Sequence, residues 1–278
     1  MLARSITLLH GVVQLDTPFS DTYKAYYMQV LIVYAHPEPT SFNGSLRNLA
    51  EDTLREAGHE VTVSDLYALG FNAVAGPADV TTRQNEEVFN LGMEQMHAAQ
   101  QNTFVPVVQA ELDKLMAADF LLLQFPMWWF SMPAILKGWI DRVFAFGAAY
   151  DFGRTWDNGV FVGRKAMLSI TLSAPEVAFK PDGRNGDMER VLWPIHAGIL
   201  ALCGYSVLPP FIAHGIPFVG EESMQAELER FRQRLLTIDT IEPMFFHSSD
   251  EFVEYRLPPD IEPATPGQHR GHRWHLPE

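Results

Sequence analysis

The sequence predicts an α/β protein with a doubly wound, five-stranded parallel sheet and helices on both faces. Three observations carry this. Residues 30–35 (VLIVYA), 119–125 (DFLLLQF) and 165–172 (KAMLSITL) are apolar, β-rich runs of the kind found in strands covered on both faces. Stripes of apolar residues at helical spacing separate them. The 278 residues are 47% hydrophobic and 19% charged, a globular composition long enough to bury a full core.

The first strand, 30–35, leads into the loop 36–43. A helical stretch follows through Leu46, Leu49, Ala50, Thr53, Leu54 and Ala57, and it stops at Gly58. Val61–Thr62–Val63 begins the second strand. Residues 67–103 carry no strand signal and read as an acidic, Met-containing insertion. Val107, Val108, Leu112, Leu115 and Met116 form the next helical stripe, ahead of the third strand at 119–125. Pro133 opens a helix that continues through Val143, proline being well suited to a first turn. The fourth strand is 165–172. An apolar helix over 187–203 contains Pro194, which predicts a kink. Residues 205–208 give the fifth strand, and 221–236 a charged amphipathic helix. Strands alternating with helices imply right-handed crossovers in one sheet.

Both ends lie outside this pattern. Residues 1–27 have no cleavage signature of a signal peptide and read as an extension ahead of Met28. Residues 246–278 form a proline-rich arm with no core of its own, expected to drape over a partner or stay mobile. The folded domain is therefore expected over 28–245. No apolar stretch reaches the ~20 residues that span a bilayer, so neither membrane insertion nor secretion is expected, and the setting is cytoplasmic. The single cysteine, Cys203, excludes a disulfide framework and a multi-thiolate metal site. Twenty basic against 34 acidic residues, a net charge of −14, argue against a nucleic-acid partner. The charge is uneven: residues 137–190 carry +1 and residues 241–278 carry −4, so a phosphate-bearing ligand is not excluded.

Ligands of open α/β sheets collect beyond the carboxyl ends of the strands, which nominates the loops 36–44, 126–133 and 171–186. The first, HPEPTSFNG, sets hydroxyls and free amides at a helix start; it suits a phosphate or an ordinary N-cap equally. A dinucleotide fingerprint of the Gly-x-Gly-x-x-Gly type is absent. The second, PMWWFSMP, has three consecutive large aromatics, which cannot all face the core. At least one should line a cleft able to stack a planar, electron-poor ring. His269, His272 and His275 lie in the arm at a three-residue spacing compatible with metal binding, which in a proline-rich tail reads as incidental.

LIVYAHPEPTSFN (31–43), SDLYALGFN (64–72), AADFLLLQFPMWWFSMPAILKGWIDRVF (117–144), AYDF (149–152), LSITLS (168–173) and GDMERVLWPIHAGILALCG (186–204) occur in this order. Through them the chain resembles the NAD(P)H:quinone oxidoreductase family, the DT-diaphorase-like flavoproteins with a flavodoxin-like fold. The resemblance implies FAD, with FMN the alternative, held by His36, Thr40, Ser41, Phe42 and Asn43. Pro126, Met127, Trp128, Trp129 and Phe130 would lie along one flavin edge, and Thr171, Leu172, Ser173 and Ala174 along the other. It implies NADH or NADPH as hydride donor and ping-pong two-electron reduction of a quinone. The site would lie at a homodimer interface, with substrate contacts from Trp129, Phe130, Tyr150, Phe152, Phe179 and Asn185. Asn185 and Tyr150 are the catalytic candidates. Where the best-studied members have a tyrosine and a histidine proposed to relay protons, this chain has Phe179 and Asn185, neither of which titrates. Lys180 and Arg184 are nearby. The histidines of the metal site that some members carry are replaced by Ala197 and Ala201, so no metal is expected. A flavin-binding regulatory subunit docking on another system, such as a potassium-efflux channel, is the alternative function.

Overall fold

The computed structural model describes residues 27–258 and 261. Its parallel sheet runs β2–β1–β3–β4–β5, with β6 also paired to β4. The strands are β1 (Gln29–Tyr34), β2 (Glu60–Asp65), β3 (Phe120–Pro126), β4 (Lys165–Thr171), β5 (Ser206–Val207) and β6 (Phe211–Ala213). The helices are α1 (Phe42–Glu56), α2 (Leu91–Gln101), α3 (Pro106–Ala117), α4 (Ala134–Val143), α5 (Met188–Ile195) and α6 (Glu221–Leu236).

Strand alternation divides the core. Val30, Ile32, Phe120 and Leu122 pack under α1 and α6. Leu31, Val33, Leu121 and Leu123 pack under α3, α4 and α5. Both faces of β1 and β3 are thus buried, which explains their unbroken apolar sequence. No helix among the described residues is long and apolar enough to cross a membrane.

Four segments depart from the sequence expectation or add detail to it. The fifth strand position is split: β5 pairs Lys165 with Ser206, while β6 pairs Ser169 with Phe211, so the register shifts by one residue between them. Pro209 and Pro210 occupy the break, where neither has an N–H to give the ladder. The 67–103 segment contains α2, capped by the Asn90 side chain accepting from the Met93 amide. The kink at Pro194 takes the form of a helix that passes into a π segment, His196–Ala201, with Leu202 N–H donating to Ala197 at 3.0 Å. The arm also begins on the domain itself. Met244 donates to the Val207 carbonyl at 2.7 Å, Phe246 packs on Trp193 and the core, and His247 is buried. The extension over 1–26 and most of the arm lie outside the described residues; Tyr27 is exposed and donates to Glu60 at 2.7 Å.

Buried charge ties the 67–103 segment to the body. Arg142, 4% exposed, pairs with buried Asp79 at 2.8 Å, donates to the Asn72 carbonyl at 2.7 Å and stacks on Phe71. Removing one partner strands the other in a dry site. Arg142→Leu is therefore expected to cost about 3–5 kcal/mol in urea unfolding, and Arg142→Leu with Asp79→Leu distinctly less.

His196 supplies a pH dependence. Both its ring nitrogens are buried without partners, and burial pulls its pKa down to about 4. The folded chain therefore keeps the ring neutral while the unfolded chain protonates it below its ordinary 6.5. Stability is complete above pH 6.5 and falls as pH drops toward 4, by roughly 1.4 kcal/mol per pH unit at most. His196→Leu should flatten the urea-midpoint profile over that window.

Candidate active site at the carboxyl edge of the sheet

The loops after β1, β3 and β4 meet over one buried chain of hydrogen bonds. Gln124 of β3 donates to the Asn43 side-chain carbonyl at 2.9 Å, and the Asn43 amide donates to the Thr171 hydroxyl at 2.7 Å. All three residues are buried. Asn43 and Thr171 thus form the floor, and their side-chain groups face each other.

Above this floor α1 begins. Ser41 is its N-cap, accepting from the Gly44 amide at 3.2 Å. His36 Nδ1 receives the Glu38 amide at 3.0 Å and lies 3.0 Å from the Ser41 hydroxyl, so the loop folds on itself. Glu38 accepts from the Thr40 hydroxyl at 2.6 Å and the Thr40 amide at 2.9 Å; these bonds hold its carboxyl below the usual range. A Cβ on Gly44 would lie 1.9 Å from the Pro39 carbonyl oxygen, so this close turn requires glycine. The amides of Phe42 and Asn43 donate to no described residue. They point two free N–H groups along the positive end of a 15-residue helix.

The β3 loop is a tight two-residue turn. Trp128 and Ser131 exchange backbone hydrogen bonds at 3.0 Å, and Trp129 and Phe130 between them have φ of 53° and 62°. Two successive left-handed residues make a type I′ turn, which favours Asn and Gly. Two bulky aromatics there store strain of the order of 1–3 kcal/mol per residue. Such strain persists only where surrounding bonds enforce it; here the Met127 amide is fixed to the Thr171 carbonyl at 2.8 Å. The turn leaves Trp129 96% exposed and Phe130 49% exposed. Trp128 lies 6.4 Å from the His36 ring, and Phe130 lies 5.9 Å from Phe179. The aromatic turn therefore bridges the helix start on one side and the 171–186 loop on the other.

On that third loop Leu172 is buried, Ser173 exposed and Ala174 half-buried. Phe179 sits in a short 3₁₀ turn, and the Asn185 amide folds back to the Ala178 carbonyl at 2.8 Å, placing Asn185 beside Phe179. His36, Thr40–Phe42, Pro126–Phe130, Thr171–Ala174, Phe179 and Asn185 thus gather at one edge. Tyr150 and Phe152 do not join them. Tyr150 lines a separate cavity of about 340 Å³ with Ile140, Gly198 and Cys203, and Phe152 stands 83% exposed against Phe146. The catalytic and substrate-contact roles assigned to them have no support within one chain. Sequence reading missed His214, whose ring lies 6.4 Å from Phe179. Its only signal was its place after a strand that the two prolines concealed.

A planar aromatic turn, free amides at a helix start and a second aromatic wall are complementary to a flavin, with its phosphate at one end and its ring system at the other. The family model for the flavodoxin-like fold matches residues 28–236. Human ribosyldihydronicotinamide dehydrogenase (quinone) is 44% identical over 217 residues, covering 78% of this chain and 94% of its own. The chain belongs to the NAD(P)H:quinone oxidoreductase family. Another relative is NAD(P)H dehydrogenase (quinone) 1 of Rattus norvegicus, 39% identical over 81% of this chain and 82% of its own. A solved Klebsiella pneumoniae structure, provisionally described as a quinone reductase, superposes on this quinone oxidoreductase family member with a TM-score of 0.81. It is 37% identical and covers 86% of this chain and 96% of its own.

The strain in the turn separates stability from function. Trp129→Asn should leave the melting temperature unchanged or higher, because the exposed indole packs on nothing and Asn accepts the left-handed conformation. Asn43→Leu should instead lower stability by about 1–3 kcal/mol in chemical unfolding, since it leaves Gln124 and Thr171 without their partner.

Proposed function

We propose that this chain catalyses two-electron reduction of quinones, or similar electron-poor aromatics, by NADH or NADPH through a bound flavin. The observation that carries the reading is the strained Trp129–Phe130 turn, held open to solvent over the start of α1 and facing Phe179. A turn that only closed a loop would gain nothing from two left-handed aromatics. When bound, the flavin supplies hydride acceptance from the nicotinamide and hydride delivery to the acceptor.

The chain's own residues bind and orient. The free Phe42 and Asn43 amides suit the phosphates, and the Thr40 and Ser41 hydroxyls, tied to Glu38 and His36, shape the loop that presents them. The backbone of 127–130 and 171–174 borders the ring system on two sides, and Phe130 and Phe179 give the acceptor apolar walls. FAD is preferred over FMN on the family resemblance. A homodimer would bring Tyr150 and Phe152 of one chain toward the site of the other, which accounts for their distance from it within one chain. A cytoplasmic setting is the one the family resemblance favours.

The purified protein should carry a flavin spectrum and oxidise NADH or NADPH with a benzoquinone, giving parallel double-reciprocal lines as acceptor is varied. Ribosyldihydronicotinamide belongs in the donor panel because the human relative is named for it. Trp129→Asn should retain the fold and lose at least about tenfold in flavin affinity, the loss expected when a stacking contact worth about 1–3 kcal/mol is removed. A wild-type protein that binds flavin and transfers no electrons to any quinone would refute the activity.

A further inference from the structure

The wall opposite the aromatic turn contains one ionisable ring. Phe130 contacts Phe179 with ring centroids 5.9 Å apart, and Phe179 contacts His214 at 6.4 Å. His214 follows β6 directly. Beyond the sheet, residues 213–216 continue alongside 172–174: Leu172 donates to the Ala213 carbonyl at 3.1 Å, Ile216 to Leu172 at 3.0 Å and Gly215 to Ala174 at 3.2 Å. The imidazole is half-buried, and its Nδ1 is buried with no partner. The Ala174 carbonyl engages the ring, and Nδ1 is left as an unpaired buried nitrogen near a ligand-binding edge.

Quinone reduction needs such a group. The nicotinamide gives up a hydride, two electrons with one proton, which brings one negative charge into the site. Conversion of a quinone to its hydroquinone consumes that hydride and a second proton. Phe130 and Phe179 have no proton to offer, and Asn185 does not titrate. Tyr150 lines a different cavity and its hydroxyl is raised by burial; Cys203, in that same cavity, is pushed up to about 12 by burial. On the flavin-dependent reading above, we infer that His214 is the proton store of the site. It takes up a proton from solvent as the hydride's charge arrives, and returns it through water as the quinone takes the hydride and a proton to become the hydroquinone. It acts from behind Phe179, as a positioning residue for charge rather than a contact of the reacting ring.

Its surroundings fit a ring that starts neutral and is ready to charge. Burial lowers its pKa from the ordinary value, while Glu176 of the 3₁₀ turn, the Ala174 carbonyl and Glu227 of α6 favour the proton; Arg230 of α6 opposes it. Glu176 is itself paired with Lys180, and Arg230 with Glu227.

The test is a histidine ring-carbon NMR titration of the full-length flavin-loaded protein, oxidised and then reduced with dithionite under anaerobic conditions. The His214 signal is identified by its loss in His214→Gln, or in His214→Asn if the first variant does not fold. Its midpoint should rise by at least one pH unit on reduction, a tenfold gain in proton affinity. In steady-state benzoquinone reduction, His214→Gln should lose the pH-dependent limb between pH 5.5 and 8.5 and run at least about tenfold below wild type at its optimum, with flavin affinity preserved. An unchanged midpoint, or a variant profile parallel to wild type, overturns the inference and leaves the flavin reading standing. A wild-type protein that neither retains flavin nor reduces benzoquinone overturns both.

Discussion

The hydrogen bonds from Gln124 to Asn43 and from Asn43 to Thr171 are the constraint on which the site depends. They join β3, the first turn of α1 and the end of β4, the three elements whose loops make the edge. In a water-excluded floor a polar group without a partner is costly, so each of these side chains holds the other two in register. The amides of α1 and the aromatic turn are thereby placed relative to one another by the core and not by the loops themselves. Asn43 belongs to this floor, so its side chain does not reach toward a phosphate. Its contribution to binding is the backbone amide and the position of the helix.

The same logic explains how the turn at 128–131 tolerates two left-handed aromatics. Pro126 ends a fully buried strand, and Met127 is fixed to Thr171, so the chain must reverse within the few residues before Pro133. Packing upstream and the buried Met132 downstream leave the conformational cost on Trp129, which is almost fully exposed, and on Phe130, which touches the core only at its edge through Phe179. Burial of the floor thus stabilises a surface that is unfavourable in isolation. The arrangement keeps Trp129 in solvent, where a single ring is exposed to a ligand on either face.

What the sequence disclosed follows from how much of each element is decided locally. The strands at the centre of the sheet were legible because both their faces are apolar, and α1 was legible because Gly58 stops it. The aromatic turn could be placed, but its left-handed backbone could not: nothing in Trp128–Trp129–Phe130–Ser131 favours φ above zero, and tertiary bonds impose it. β6 was invisible because Pro209 and Pro210 break the run that would have announced it, and three residues alone make no periodic signal. His214 was hidden with it. The π segment after Pro194 is a similar case. Proline predicts a disturbance, while the choice between a bend and a π turn depends on the packing of Ile195, Ala197 and Leu200.

A net charge of −14 and an anionic cofactor are compatible for a physical reason visible in the first loop. Exposed charges more than about 8 Å apart are largely screened at physiological ionic strength, so the acidic periphery contributes little at the start of α1. The one carboxylate within that loop, Glu38, is bound by Thr40 through both its amide and its hydroxyl. Those bonds turn the Thr40 donors inward, leaving the Phe42 and Asn43 amides as the donors that an incoming phosphate meets. Glu38 therefore shapes the loop while its charge opposes the ligand it helps to admit, and the helix end must outweigh that repulsion. It has the geometry to do so, because its free N–H groups make direct contact with an anion, whereas a carboxylate already held by two donors is partly neutralised before the ligand arrives.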